Sequence, residues 1–299
     1  MSVRVSVIVP VRNGEATLGD MLAALVAQKE AGETEVLVVD NGSTDRTADI
    51  ARQFPVTLLH ESTPGTSAAR NAALRVARGE IIACLDADTL PTRRWLSELI
   101  RPFSNPAVMI VGGKVLTYSP TNATEMYYDA CDMYGSRHNV YAKVFQFAVG
   151  MNAAVRTSAA REAGGWEESL MWGEDIDFSE RILRRFPDSL AYAEKAVLFH
   201  RHRSTHEALV RQALGYGRGA AMIHQRYPDK STWRALSPLI VAGCVAGRWG
   251  NVCTATARRM LGRMDRTRAD ITYCHALWSW HFWRGFFIEY YWLRTHKRT

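Results

Sequence analysis

The stretch from Glu80 to Trp95, EIIACLDADTLPTRRW, decides how the rest of the chain is read. Ile81 to Leu85 is an apolar run too short for a free-standing helix, bounded by Gly79 and by an acidic pair, and it predicts a buried strand. Side chains on a strand repeat every second residue, so if the extended backbone continues, Asp86 and Asp88 leave its carboxyl end pointing the same way. Two hard oxygen donors in that position suit Mg²⁺ or Mn²⁺, which keep coordination places open for phosphate oxygens. A lone Asp-x-Asp pair also caps helices and sits in solvated turns, so its surroundings must decide.

Upstream, Arg4 to Val9 is almost wholly β-branched, which suits a central strand covered on both faces. An amphipathic helix follows from Thr17, with Leu18, Met21, Leu22 and Leu25 at helical spacing. Glu35 to Val39 and Val56 to Leu59 predict further strands, with a helix to about Phe54 between them and another from Thr66 to Ala77. Strands alternating with helices in this way indicate βαβ units and a parallel, doubly wound sheet. Ligands of such sheets lie at the carboxyl ends of the strands. The polar clusters Asn13/Glu15, Asp40/Ser43/Asp45 and Asp86/Asp88 all fall at those ends. Neither a Gly-x-Gly-x-x-Gly turn after the first strand nor a phosphate-binding P-loop sequence is present, so a dinucleotide cradle and a P-loop are both unsupported. Asp40 is suited to accept from a base N–H or a ribose hydroxyl, or to cap the next turn, for which Ser43 and Thr44 are stronger candidates.

The second half adds a strand over Val108 to Val115 and another over Phe145 to Val149, leading into Gly150-Met151-Asn152. Gly164-Gly165-Trp166 and Trp172-Gly-Glu174-Asp175 follow, and Asp175 opens an amphipathic helix with Phe178, Ile182, Leu183 and Phe186 on its buried face. Acidic residues at a helix start are ordinary dipole partners. After a glycine-rich loop and two tryptophans, a site is the second reading. AYAEKAVLFH predicts a last strand ending at His200.

The chain of 299 residues, 47% hydrophobic and 10% aromatic, is long enough to bury a large core and is not disordered. Its five cysteines form no Cys-x-x-Cys pair, which points to a reducing compartment and no structural zinc. No basic stretch followed by an apolar segment stands at the amino end, so the expectation is a cytoplasmic protein. The net charge of +7 hides a split: residues 1–200 hold 20 Lys and Arg against 25 Asp and Glu, whereas 201–299 hold 17 against 5. A tail of that kind suits an anionic membrane face, an acidic partner or nucleic acid.

The linked runs SVIVPVRNGEATL, VLVVDNGSTDRT, GTSAARNAAL, LDADTLP, GMNAAVRTSAAREAGGW and WGEDIDFSERI resemble the family 2 glycosyltransferases, and the likeness extends from residue 3 to about 200. The resemblance implies the GT-A nucleotide-diphospho-sugar transferase fold, a Rossmann-like α/β mixed sheet with helices on both faces. It also implies inverting transfer from a UDP- or GDP-sugar to a hydroxyl, with Mn²⁺ or Mg²⁺. Position by position, Pro10, Asn13 and Glu15 match the first nucleotide loop, and Asp40 matches the base reader. Ser43, Asp45 and Arg70 resemble neighbours of the nucleotide and diphosphate, while Asp86 and Asp88 match the metal pair, with Asp88 the direct ligand. Asp175 resembles the catalytic base, Glu174 its orienting neighbour, and His200 completes the metal shell, with His202 and a structural role as alternatives. The processive members' Gln-x-x-Arg-Trp signature is replaced by Arg211-Gln-Ala-Leu-Gly-Tyr-Gly-Arg218, which argues against a processive polymerase and leaves Arg211 or Arg218 as diphosphate contacts.

The expected organisation is a catalytic domain over 1–205, split into a nucleotide-sugar half (1–105) and an acceptor half (106–205), followed by a helical, basic, aromatic-rich extension over 206–299. In the extension, Leu236 to Ala246 is too short to span a bilayer. Tyr273, Ala276, Trp280, Trp283, Phe287 and Tyr290 form one stripe, with Asp270, His281, Arg284 and Glu289 opposite. Such a helix suits the inner membrane interface as a peripheral contact, or packing onto the catalytic domain or a second copy in a homodimer. Nucleic acid ranks behind both, since no recognition motif accompanies the charge. The functional expectation is a glycan or lipid-linked acceptor, as in polysaccharide assembly. The alternatives are a polyprenyl-phosphate sugar synthase and a non-catalytic sugar-nucleotide-binding subunit.

Overall fold

The computed structural model describes residues 4–28, 32–230 and 238–296. In chain order the elements are β1 (Val5–Val11), α1 (Leu18–Val26), β2 (Thr34–Asp40), α2 (Thr47–Ala51), β3 (Thr57–His60), α3 (Thr66–Val76), β4 (Ile81–Leu85), β5 (Thr89–Pro91) and α4 (Trp95–Ile100). They continue with β6 (Ile110–Thr117), α5 (Ala123–Ala130), α6 (Ser136–Val140), β7 (Asn152–Arg156), α7 (Thr157–Glu162), α8 (Glu174–Arg185), β8 (Leu190–His200), α9 (His206–Arg226), α10 (Pro238–Met260) and α11 (Arg266–His296). Packing divides them into two compact units: residues 1–118 with 134–201, and residues 119–133 with 202–299.

The first unit is built on one sheet in the order β3-β2-β1-β4-β7-β6-β8-β5. Every residue of β1 and of β4 is buried, as runs that are apolar but for Ser6 of β1 require for strands covered on both faces, and the Ser6 hydroxyl donates to Glu35 at 2.6 Å. The left half, β3-β2-β1-β4, is parallel, and α1 buries Leu18, Met21, Leu22 and Leu25. The β1–β4 ladder stops at Ile8, two residues before Pro10, which has no N–H to give it.

The right half makes the sheet mixed, as the family resemblance implies, where the βαβ pattern alone predicts a parallel one. β7 runs antiparallel between β4 and β6, and β5 closes the edge antiparallel to β8. Phe145 to Val149 is not a strand: the Phe147 N–H goes to the Asn139 carbonyl and the Gly150 N–H to the Asp175 carboxylate, so the ladder starts only at Asn152. Asn152 itself is a brace, accepting from the Trp95 indole at 2.8 Å and donating to the Lys114 and Ala196 carbonyls. Asp86 and Asp88 do not share a strand face either. The chain turns at once after β4, where the Thr89 N–H and hydroxyl both bond the Asp86 carbonyl.

The second unit comprises α5, α9, α10 and α11. Asn122 caps α5 through the Thr124 and Glu125 N–H groups, and Thr205 caps α9 through Ala208. Tyr127 and Tyr128 of α5 are buried with Leu209 and Cys274. At the crossing of α9 and α11, a side chain on Gly217 would run into the Phe282 carbonyl, and one on Gly285 into that of Leu214, so only glycine permits the approach. Close backbone contact also sets the face that α11 buries: Ala276, Ser279, Gly285 and Phe286 lie inside, whereas Trp280 of the expected stripe is 50% exposed. Of the run Leu236–Ala246, the first two residues lie outside the described residues, and the rest belongs to α10. No helix among the described residues is long and apolar enough to cross a membrane.

Candidate active site

Three turns at the carboxyl edge of the parallel half carry most of the expected residues. Asn13 adopts φ 53°, a left-handed conformation asparagine tolerates. Its N–H donates to Ser43 Oγ at 2.9 Å and its Oδ1 accepts from the Thr44 N–H at 2.8 Å. Next, Gly14 donates to Thr47 Oγ1, and the Glu15 N–H donates to Asp45 Oδ2 at 3.0 Å. The Glu15 carboxylate receives the Arg46 guanidinium, which holds its pKa below the usual range. The Thr47 hydroxyl does the same for Asp45. Below this lacing Asp40 is buried, accepts from the Ser43 N–H at 2.9 Å and has His60 Nδ1 at 3.5 Å. Asn13, Glu15, Ser43 and Asp45 thus hold two loops to one another.

Deeper in the unit, α3 is short-sided: Ala68, Ala69, Ala72 and Ala73 fill its buried face, and among them Arg70 is only 2% exposed. Its guanidinium meets Asp175 at 3.1 Å, Asp86 at 3.3 Å and Glu174 at 3.5 Å. Burial opposes its charge, but Asp175, Asp86 and Glu174 outweigh it and hold the pKa above the ordinary value. The second oxygen of Asp175 accepts from the Gly150 N–H at 2.7 Å. Glu174 has its carboxyl pushed up to about 8, by burial first and then by the charge of Asp175. Asp86 is raised by burial as well, with Arg70 opposing. Beneath them burial pushes the Cys84 thiol up to about 12, which removes it as a thiolate nucleophile at neutral pH.

Asp88, the other half of the acidic pair, faces elsewhere. Its Oδ1 lies 3.5 Å from Nε2 of His200, which is buried with Tyr134 edge-on to its ring. Among the described residues no three His, Cys, Asp or Glu side chains form a preformed metal cage. The chemistry of the pair nevertheless fits a divalent cation: one carboxylate oxygen and one imidazole nitrogen are adjacent, and the remaining places are left for substrate oxygens. Asp88 is the better-placed oxygen, because Asp86 is committed to Arg70. His202 stacks on Tyr128 within the second unit, and Arg211 pairs with Glu207 of its own helix.

Sequence reasoning missed two features. One is the Gly150 N–H as the anchor of Asp175, a backbone contact without a sequence signal. The other is the clasp in which Asn71 donates to the Trp166 carbonyl and accepts from the Trp166 N–H, both at 2.8 Å. It fixes the glycine-rich loop to α3 and sets Trp166 on Phe178, ring centres 4.2 Å apart. The tryptophan after two glycines was the available hint.

Solved structures share the architecture. A mannosyltransferase from Pyrobaculum calidifontis in complex with GDP-Man and Mn²⁺ superposes with TM-score 0.65 at 20% identity, covering 100% of this chain and 89% of that one. Glucosyl-3-phosphoglycerate synthase from Mycobacterium tuberculosis, with Mn²⁺, UDP and glucosyl-3-phosphoglycerate, gives 0.55 at 20% identity over 75% and 79%. The fold is therefore the GT-A fold. In sequence, the pre-mycofactocin glycosyltransferase of Mycobacterium tuberculosis is 28% identical over 82% of this chain, and the chain spans about half (52%) of that relative's length. Glycosyltransferase AglE of Haloferax volcanii is 32% identical over 70% of each chain. The family model for glycosyl transferase family 2 matches residues 6–164, more than half of the sequence, and the chain belongs to that family of glycosyltransferases.

Proposed function

We propose that the protein is a metal-dependent, inverting glycosyltransferase that moves a sugar from a UDP- or GDP-sugar to a hydroxyl of a glycan or lipid-linked acceptor. The observation that carries this reading is Asp175, a carboxylate held from two sides by Gly150 and Arg70 and grouped with Asp86. Donor binding falls to residues 1–105: Asp40 reads the base beneath Pro10 and the laced loop of Asn13, Glu15, Ser43 and Asp45, and Arg70 and Asp86 flank the diphosphate. The rest of the first unit, residues 106–118 and 134–201, presents the acceptor. Asp88 and His200 would hold a divalent cation, which would supply charge neutralisation for the departing diphosphate.

Asp175 takes the proton of the acceptor hydroxyl while that oxygen bonds to the anomeric carbon. The bond to the diphosphate breaks on the opposite face and the phosphate oxygen keeps the electron pair, so configuration inverts in one displacement. Each Asp175 oxygen already accepts one hydrogen bond and retains a lone pair for the hydroxyl. Glu174, its carboxyl pushed up by burial and by the charge of Asp175, orients the acceptor. The neighbour solved with GDP-Man and Mn²⁺, and the one with UDP and Mn²⁺, support a nucleotide-sugar donor and a metal. The basic C-terminal unit supports a peripheral place on an anionic membrane face.

The test is titration with UDP, GDP, CDP and dTDP, with and without Mn²⁺, on the wild type, Asp88→Ala and Asp175→Asn, followed by transfer assays. One nucleotide should bind with dependence on Mn²⁺ and on Asp88. Asp175→Asn should keep that binding and lose transfer by about 10²–10⁴-fold. Near-normal transfer by Asp175→Asn would instead assign a phosphate acceptor that needs no base.

A further inference from the structure

We infer that the tip joining α10 to α11 is a docking wedge for an anionic lipid bilayer. The segment Arg258-Arg-Met-Leu-Gly-Arg-Met-Asp-Arg-Thr-Arg268 carries five arginines and one aspartate. Met260 is 81% exposed and Leu261 67%, side by side at the summit. Large apolar side chains at such exposure, ringed by cations, mark a contact surface.

The tip is also built, not frayed. Gly262, at φ 66°, donates to the Arg259 carbonyl at 3.0 Å, and Arg263 donates to that of Arg258 at 2.8 Å. This pair of bonds closes a helix end around a left-handed glycine. Three residues on, Asp265 accepts from the Arg268 N–H at 2.9 Å and caps α11. Arg258 and Arg263, at the two positions that commonly make an apolar contact across this motif, are both exposed. Arg266 and Arg268 have carboxylates at 3.5 and 3.4 Å, whereas Arg258, Arg259 and Arg263 have no ion-pair partner among the described residues.

Charge complementarity selects the occupant. Anionic headgroups answer the arginines while Met260 and Leu261 enter the acyl boundary, the division of labour of interfacial anchors. A second copy would bring a like-charged tip against this one. Nucleic acid would find guanidinium groups but no aromatic ring at the tip to stack on. The inference rests on the peripheral-membrane part of the reading above and not on its chemistry.

The experiment is flotation of the full chain with vesicles of equal parts phosphatidylglycerol and phosphatidylcholine, against phosphatidylcholine alone, with nucleotide titration on the same samples judging the transfer reading separately. The wild type should float with the anionic vesicles and not the neutral ones. Met260→Asp/Leu261→Asp should bind vesicles roughly a hundredfold or more weakly, about what removing two inserted side chains implies. Arg258→Gln/Arg259→Gln/Arg263→Gln should weaken binding roughly a hundredfold, and the triple lysine variant should retain it. All these positions are exposed, so circular dichroism should match the wild type. A wild type that stays in the aqueous phase, equal flotation with neutral vesicles, full flotation of both tip variants, or dimerisation abolished by Met260→Asp/Leu261→Asp overturns the inference.

Discussion

Glu174 and Asp175 are adjacent carboxylates with different surroundings, and the difference is measurable. Asp175 has an N–H and a guanidinium; Glu174, at the same helix start, has its carboxyl raised to about 8 by burial and by its neighbour's charge. A carboxyl raised above its unfolded value binds a proton in the folded state that the unfolded chain has released. Stability from this group is therefore complete below about pH 4.5 and is lost as pH climbs towards 8, with a slope approaching ~1.4 kcal/mol per pH unit. Glu174→Gln should flatten the fall in Tm between pH 5 and 8, read by calorimetry across the range. Arg70 is the counterpart: removing a buried cation leaves carboxylates facing one another. Arg70→Met should lose about 3–5 kcal/mol in urea unfolding, and Asp175→Asn added to it should restore part of the loss, a coupling that a double-mutant cycle measures.

Among the elements, the crossing of α9 and α11 depends on two glycines. Gly217→Val would press a branched side chain onto the Phe282 carbonyl, and roughly 1–3 kcal/mol should go, seen as a lower urea midpoint with unchanged slope. Elements whose pattern is local were legible in the sequence: β1 from its β-branched residues, β4 as an unbroken apolar run, and α1 from the spacing of Leu18, Met21, Leu22 and Leu25. β7, whose NAAVR sequence lacks a strong strand pattern, becomes a strand because β4 and β6 flank it. Asp86 and Asp88 could be picked out as residues, but the turn after β4 sends one to Arg70 and the other towards His200. Arg70 was legible as a motif position. Its burial among three carboxylates is set by α3, β4 and α8 meeting, which no local pattern records. The tryptophans of α11 misled in detail because Gly217 and Gly285 bring the backbones of α9 and α11 together, and it is Trp278, outside the expected stripe, that packs on Tyr216, while Trp280 is exposed.

At the scale of the whole molecule, α5 lies in the first half of the sequence but belongs to the C-terminal unit, where Tyr127 and Tyr128 are buried with Leu209 and Cys274. A chain ended at residue 205 would expose both tyrosines. It should aggregate or bind a hydrophobic dye, whereas a chain also lacking 119–133, with a short polar linker in its place, should not; light scattering separates the two. The glycine crossing has a last consequence, for how this unit breathes. Helices whose backbones touch cannot open separately at that point, so amide hydrogens around Gly217 and Gly285 should exchange with deuterium last. Exchange should quicken towards Arg226 and His296, and the C-terminal unit should open from its ends inward.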